Sequence, residues 1–197
     1  MVSGRMRHDP LVQFHHWFAE ARRAEVALPE AMALATADAH GRPSARYVLL
    51  KHVDERGFVF YTNLRSRKGR DLRVNPYASL VGYWDAIGKQ VRVEGRIEHV
   101  TAAEADAYWA TRPRESQLAA LASRQGAVLD SRAKLLAAWK QLRREFRGKE
   151  IPRPRKWTGL RIVPDMIEFW TRGEHRLHDR ELFVRNRRGW KRTLLQP

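Results

Sequence analysis

From residue 31 to residue 99 the chain runs in short stretches of alternating apolar and polar positions, cut by turn residues. Nothing else in the sequence restricts its fold as much. Residues 31–37, 44–53 and 58–63 are separated by His40-Gly41 and by Glu55-Arg56-Gly57, and residues 77–84 and 90–99 by a turn around Gly88. Side chains two positions apart on a strand share a face, so runs of this length between such turns read as successive antiparallel strands. Residues 157–163, 166–170, 182–186 and 190–195 repeat the pattern near the C-terminus. There is no internal repeat and no long linker. The expectation is one mainly β domain over residues 1–197, a closed or nearly closed antiparallel barrel with flanking helices, in which residues 1–8 are a flexible end.

The helices carry their own punctuation. Asp9 as N-cap before Pro10 predicts a helix to about Arg23, burying Leu11, Phe14, Trp17 and Phe18. Ser66 caps a short helix through Val74, which Asn75-Pro76 ends. Thr101-x-x-Glu104 is a capping box opening a helix to Ala110 or Thr111. Arg112-Pro113 interrupts it, and residues 115–123 add a turn or two. Residues 130–147 form the longest expected helix, with Leu135, Trp139, Leu142 and Phe146 on one face and Lys140, Arg143, Arg144 and Arg147 on another. The basic stripe reads as a solvated face or, alternatively, as a nucleic-acid or membrane surface.

Charge narrows the partner. With 38 Lys+Arg against 22 Asp+Glu the formal net charge is +16, which points to a phosphate-bearing ligand, a nucleic acid or a membrane surface. The absence of cysteine excludes disulfides, zinc–thiolate sites and cysteine nucleophiles. No secretory signal and no apolar run of membrane-spanning length is present, so a cytoplasmic protein is expected. There is no Gly-x-Gly-x-x-Gly, no phosphate-loop motif and no His-Glu-x-x-His. His15-His16 has no carboxylate at ligand spacing, and no metal is expected.

Four clusters could carry chemistry. Arg46-Tyr47-Val48-Leu49-Leu50-Lys51 lies on the second strand, where Arg46 and Lys51 point to opposite faces unless a bulge intervenes. Tyr61-Thr62-Asn63-Leu64-Arg65-Ser66-Arg67-Lys68 runs from a strand end into a helix start, where free N–H groups and cations suit a phosphate. Arg112-Pro113-Arg114-Glu115-Ser116-Gln117 offers Arg112 and Ser116 to a second oxyanion. Gly173-Glu174-His175-Arg176-Leu177-His178-Asp179-Arg180 follows an alternating apolar segment. If it stays extended, Arg176, His178 and Arg180 share one face and repel each other unless an anion sits among them. The plain alternative is a charged hairpin loop. Together the clusters suggest two separate phosphate sites.

These segments, with Lys89-Gln90-Val91 and Ile167-Glu168-Phe169-Trp170, resemble the pyridoxamine (pyridoxine) 5'-phosphate oxidase family along nearly the whole chain. The resemblance implies a split β-barrel homodimer binding FMN in clefts between subunits. Arg46, Lys51, Tyr61, Thr62, Ser66, Arg67, Lys68 and Gln90 match positions that hold the flavin. Gln125, Trp170 and Arg180 match positions contributed by the partner subunit. Lys51, Tyr108, Arg112 and Ser116 match contacts to the substrate phosphate, and Arg176 and His178 match catalytic residues beside the pyridine ring. The implied reaction passes a hydride from C4' of pyridoxamine or pyridoxine 5'-phosphate to the flavin, giving pyridoxal 5'-phosphate, and O2 then becomes hydrogen peroxide. Two departures stand out. Gly126 follows Gln125 where the family usually has Ser, and only residues 1–8 are available for the basic arm that other members fold over substrate. A phenazine-biosynthesis oxidase of the same fold is a rival that would leave Lys51, Arg112 and Ser116 without a phosphate. A basic nucleic-acid-binding protein is the rival from another class, and it leaves the His178 motif unexplained.

Overall fold

A computed structural model describes residues 9–197; the flexible end expected at residues 1–8 lies outside them. The Asp9 side chain accepts from the Leu11 N–H at 2.9 Å and starts α1 (Pro10–Arg23). Eight strands follow: β1 (Ala31–Ala37), β2 (Pro43–Asp54), β3 (Gly57–Asn63), β4 (Tyr77–Trp84), β5 (Lys89–His99), β6 (Trp157–Thr171), β7 (Asp179–Asn186) and β8 (Gly189–Leu194). Between them lie α2 (Arg67–Val74), α3 (Ala102–Thr111), α4 (Arg114–Ala122) and α5 (Arg132–Glu145). Every strand pairing is antiparallel, in the order β3-β2-β1-β4-β5-β6-β7-β8. β3 also pairs back onto β6, so six strands close into a barrel.

Residues 157–163 and 166–170, expected as two strands, are one strand of 15 residues. Pro164 breaks the alternation but not the strand. Gly95 opposes Pro164 and Glu94 opposes Met166, which leaves Asp165 as an extra residue in β6. At this point the far edge of β6 changes partner: residues 157–162 pair with β3 and residues 166–171 with β7. A residue without an N–H is tolerated where a ladder is interrupted. The backbones approach so closely here that a Cβ on Gly95 would lie 2.0 Å from the Val163 carbonyl oxygen. β6 thus forks. Its first half seals the barrel, and its second half carries the β7–β8 hairpin away from it.

The barrel interior is filled by Met32, Leu34, Leu80, Val91, Val93 and Phe169, and α1 closes over it with Phe14 edge-on to Phe58 at 5.0 Å. Each such buried side chain stabilises the fold by roughly 1.5–3 kcal/mol. Trp17 and Phe18 pack against this core but stay half-buried. Trp109, Leu118, Ile151 and Trp157 form a second cluster under α3 and α4. Buried Arg161 of β6 pairs with Asp54 and, at 3.2 Å, with Glu104, pinning the start of α3 to the barrel. The apolar stripe of α5 is only half-buried and the helix buries no residue fully, so its partner surface is slight. No helix among the described residues is long and apolar enough to cross a membrane.

Candidate active site

The predicted residues fall into two groups. The first gathers around the start of α2. Ser66 caps that helix by accepting from the Gly69 N–H at 3.4 Å, and its hydroxyl lies 3.5 Å from the Thr62 hydroxyl. Arg46 reaches it from β2, donating to Thr36 at 2.6 Å and Ser44 at 2.8 Å, with Asp71 of α2 at 3.7 Å. Lys68 is buried, and no described residue gives it a hydrogen bond or ion pair. Burial and then the Arg46 charge push its pKa below the usual lysine value. Arg46 is depressed too, first by burial, and the Arg67 charge adds to the effect. Three cations therefore converge where, among the described residues, Asp71 is the carboxylate paired with Arg46, and that carboxylate is already held by Thr36 at 2.7 Å.

The bulge left open by the sequence is present. Leu50 opposes Phe60 and His52 opposes Val59, so Lys51 is the extra residue and leaves the alternation. It thereby joins Tyr61, Thr62, Lys68, Tyr108, Arg112, Ser116 and Gln125 around one cavity of about 350 Å³. The walls are aromatic. Tyr61 stacks on Tyr108 with ring centroids 3.9 Å apart and on Trp157 at 5.2 Å. The Arg112 guanidinium lies 4.8 Å over Trp157, and its buried Nε–H has no acceptor. An unsatisfied charged donor costs stability unless a ligand completes it.

The second group lies at the far end of β6. Trp170 is thirteen residues beyond Trp157, about 40 Å of extended strand. Gln90 and Arg180 flank Trp170 on the neighbouring strands, and the three line a cavity of about 240 Å³ with Arg92, Glu168 and Pro197. The His178 ring sits 4.5 Å from that of Trp170. Its Nδ1 accepts from the Gly173 N–H at 3.2 Å, so the neutral ring carries its proton on Nε2.

Two expectations change. The segment 176–180 does not stay extended: His175 and Arg176 have φ of 54° and 66° in a tight turn, so Arg176 leaves the face shared by His178 and Arg180. Arg176 is exposed and unpaired among the described residues. Gln125 and Gln90 also exchange groups. The Gln125 Oε1 accepts from the Thr62 hydroxyl and the Asn63 N–H of its own chain, both at 3.3 Å, while Gln90 stands beside Trp170. Gly126 has φ of 81°, and a Cβ there would lie 3.8 Å from the Arg67 nitrogen, so the missing Ser would have faced the start of α2.

Sequence reasoning missed Glu168 and Asp71. Asp71 is the one acid in a cationic helix, and Glu168 shares a face with Trp170 by alternation; both signals were available. A larger cavity of about 630 Å³ lies beside α2 among Leu64, Leu72, Ile97, Leu160 and exposed arginines, and holds none of the predicted residues.

Comparison with known proteins decides the family. The pattern described as pyridoxamine 5'-phosphate oxidase matches residues 18–171. The chain belongs to this family. A second pattern, the pyridoxine 5'-phosphate oxidase C-terminal dimerisation region, matches residues 157–197. The pyridoxine/pyridoxamine 5'-phosphate oxidase of Rubrobacter xylanophilus is 53% identical over 96% of this chain and 87% of its own. That of Myxococcus xanthus is 50% identical over 96% and 92%. Among solved structures, PhzG of Burkholderia lata, in complex with tetrahydrophenazine-1-carboxylic acid, superposes with a TM-score of 0.92 at 36% identity, covering 96% of this chain and 93% of that one. A Nostoc punctiforme FMN-binding protein related to pyridoxamine 5'-phosphate oxidase shares the fold at a TM-score of 0.75 and 18% identity, covering 94% and 95%.

Proposed function

We propose that this enzyme oxidises pyridoxamine 5'-phosphate and pyridoxine 5'-phosphate to pyridoxal 5'-phosphate with FMN as cofactor and O2 as final acceptor, forming hydrogen peroxide. One observation carries the reading. A single chain holds two cationic cradles lacking anionic partners enough to neutralise them, Arg46–Arg67–Lys68 and Lys51–Arg112, and the reaction needs two phosphorylated ligands.

The donor set fits FMN. Buried, uncompensated Lys68 and the capped start of α2 suit a terminal phosphate better than a bridging one. Arg46, Ser66, Arg67 and Lys68 would hold that phosphate, with Lys51, Tyr61, Thr62 and Gln125 toward the ring. When bound, FMN supplies the two-electron acceptor that no side chain can provide. Arg112, Ser116, Tyr108 and Lys51 hold the substrate phosphate. Arg176 stays charged and orients the phenolate side of the pyridine. His178 offers its Nε2 proton, fixed there by Gly173. Gln90, Trp170 and Arg180, and with them Arg176 and His178 of the turn beside Trp170, lie too far along β6 to serve the same site of one chain. They complete the site of a second copy in a homodimer, consistent with the dimerisation region at residues 157–197.

The overlay with PhzG favours a second reading, oxidation of an unphosphorylated polycyclic acid. Lys51 and the orphaned Arg112 Nε–H weigh against it. The test is flavin uptake followed by peroxide release with each B6 vitamer. FMN should be taken up stoichiometrically, and only phosphorylated vitamers should turn over well. Preference for FAD, or equal turnover of unphosphorylated pyridoxamine, would overturn the reading. A salt-sensitive gel shift without flavin uptake would instead favour nucleic acid.

A further inference from the structure

Glu168 is a buried carboxylate with no part in the chemistry above, yet it is the hub of the second group. Its side chain is 4% exposed. Oε2 accepts from Arg92 of β5 at 2.5 Å, and Oε1 accepts from the Nε–H of Arg180 of β7 at 2.8 Å. A second Arg180 donor, on Nη1, goes to the Gln196 carbonyl at 3.0 Å, and the Leu195 N–H returns a bond to the Arg180 carbonyl at 2.9 Å. A guanidinium has five N–H donors in a rigid fork. Two of Arg180's are committed to scaffold, which fixes the plane of the fork and leaves three donors beside Gln90 and Trp170.

We propose that Glu168 is a positioning residue for the flavin site: with the Gln196 carbonyl it clamps the Nε–H and one Nη1–H of Arg180 so that the remaining donors face the ligand. The proposal rests on the reading of Arg180 as a flavin contact. Surface tethering does not account for the arrangement, because an exposed ion pair adds little and this carboxylate has given up its water. A carboxylate placed only for stability would also need one arginine, whereas Glu168 divides its two oxygens between two strands and so fixes the distance across the cavity they line. The C-terminal segment is part of the clamp, since Gln196 supplies the other scaffold acceptor and Pro197 lines the same cavity.

The test is a double-mutant cycle on FMN affinity, read by quenching of flavin fluorescence, with urea unfolding of each flavin-free variant alongside. Arg180→Gln and Glu168→Gln should each raise the Kd for FMN, about tenfold or more for a charged hydrogen bond. The double variant should bind no more weakly than Arg180→Gln alone, because Glu168 acts only through that side chain. Additive effects would overturn the clamp, as would a Glu168→Gln variant that binds FMN as the parent does. If Arg180→Gln itself leaves FMN affinity unchanged, the assignment of Arg180 fails and the clamp fails with it. Should Glu168→Gln not fold, a chain ending at Leu195 carries the same test. It removes the Gln196 carbonyl without touching the core, and it should weaken FMN severalfold while leaving the flavin-free unfolding midpoint in place. Unchanged FMN affinity in that chain overturns the clamp.

Discussion

Arg112→Met separates stability from function at one side chain. In the ligand-free protein Arg112 keeps a buried Nε–H without an acceptor, at a cost of roughly 1–3 kcal/mol. It recovers part of this through the Trp157 face at 4.8 Å and the Trp109 face at 5.5 Å, worth about 0.5–2 kcal/mol, and through a long bond to the Ser116 carbonyl at 3.3 Å. Methionine keeps the stem on the aromatic walls and removes the orphaned donor. The gains and losses nearly cancel, so the melting temperature should move by less than about 4 °C. Toward substrate nothing compensates. Losing a charge-assisted contact to phosphate costs about 1.5–3 kcal/mol, a rise of roughly 10- to 150-fold in KM. Calorimetry of the flavin-loaded variant, with KM measured for phosphorylated and unphosphorylated pyridoxamine, checks both halves. The preference for the phosphate ester should collapse while kcat changes less. A variant that unfolds 10 °C early with its phosphate preference intact would show that Arg112 is a structural brace and that the reasoning is wrong.

Lys68→Met should leave the flavin-free protein at least as stable while weakening FMN by about tenfold or more; urea curves with and without FMN show whether the two effects separate. Burial holds the parent's Lys68 below its ordinary 10.5, so its destabilising share is fully present below that lowered pKa and fades as pH rises from there toward 10.5. Glu104 behaves oppositely. The Thr101 N–H, followed by the Arg56 side chain, holds it at about 2 against an ordinary 4.5, so its share of stability is present above pH 4.5 and is lost as pH falls through about 2. Urea midpoints at pH 6 and pH 3 should therefore lie closer together in Glu104→Gln than in the parent. Mixing Arg112→Met with Arg180→Gln chains under exchange should restore up to about a quarter of parental activity, since half the dimers carry one intact site of two; no recovery despite proven exchange counts against a shared site. Arg176→Ala and His178→Ala should stay yellow and dimeric while kcat/KM falls about 10- to 1000-fold, and a flavin titration that accounts for the whole loss would rule out a catalytic role.

Local rules made much of this molecule readable. The caps at Asp9, Ser66 and Thr101 fall where side-chain chemistry puts them, and β1, β4 and β5 follow the period-two pattern. The failures are long-range. Pro164 reads as a break because the alternation alone does not reveal that β6 changes neighbours there. Around Arg176 the sequence leaves an extended strand and a charged hairpin loop both open, because a left-handed backbone at two consecutive non-glycine residues has no sequence signature, and the structure takes the turn. The grouping of Gln90 with Trp170, and of Gln125 with Thr62, is a matter of register and loop path that residue spacing does not encode. Helical spacing marks an apolar stripe along α5. In a single chain it finds only a shallow contact, because periodicity reports that a face is apolar but not what covers it.

The fork in β6 also determines where the chain can accept length changes. The barrel pattern ends at residue 171 and the dimerisation pattern begins at residue 157, so the two meet along this one strand. A residue gained or lost before Pro164 would shift residues 157–162 against both β3 and β5, turning barrel side chains outward. Asp165 already stands outside the ladder, so a length change there falls where register is already broken and spares the sealed half. The penalty would come in the hairpin, where Glu168 and Trp170 would swap faces against β7. Insertions on the two sides of Pro164 should therefore differ in kind: those before it abolish folding, and those after it yield a folded barrel with a disordered β7–β8 hairpin.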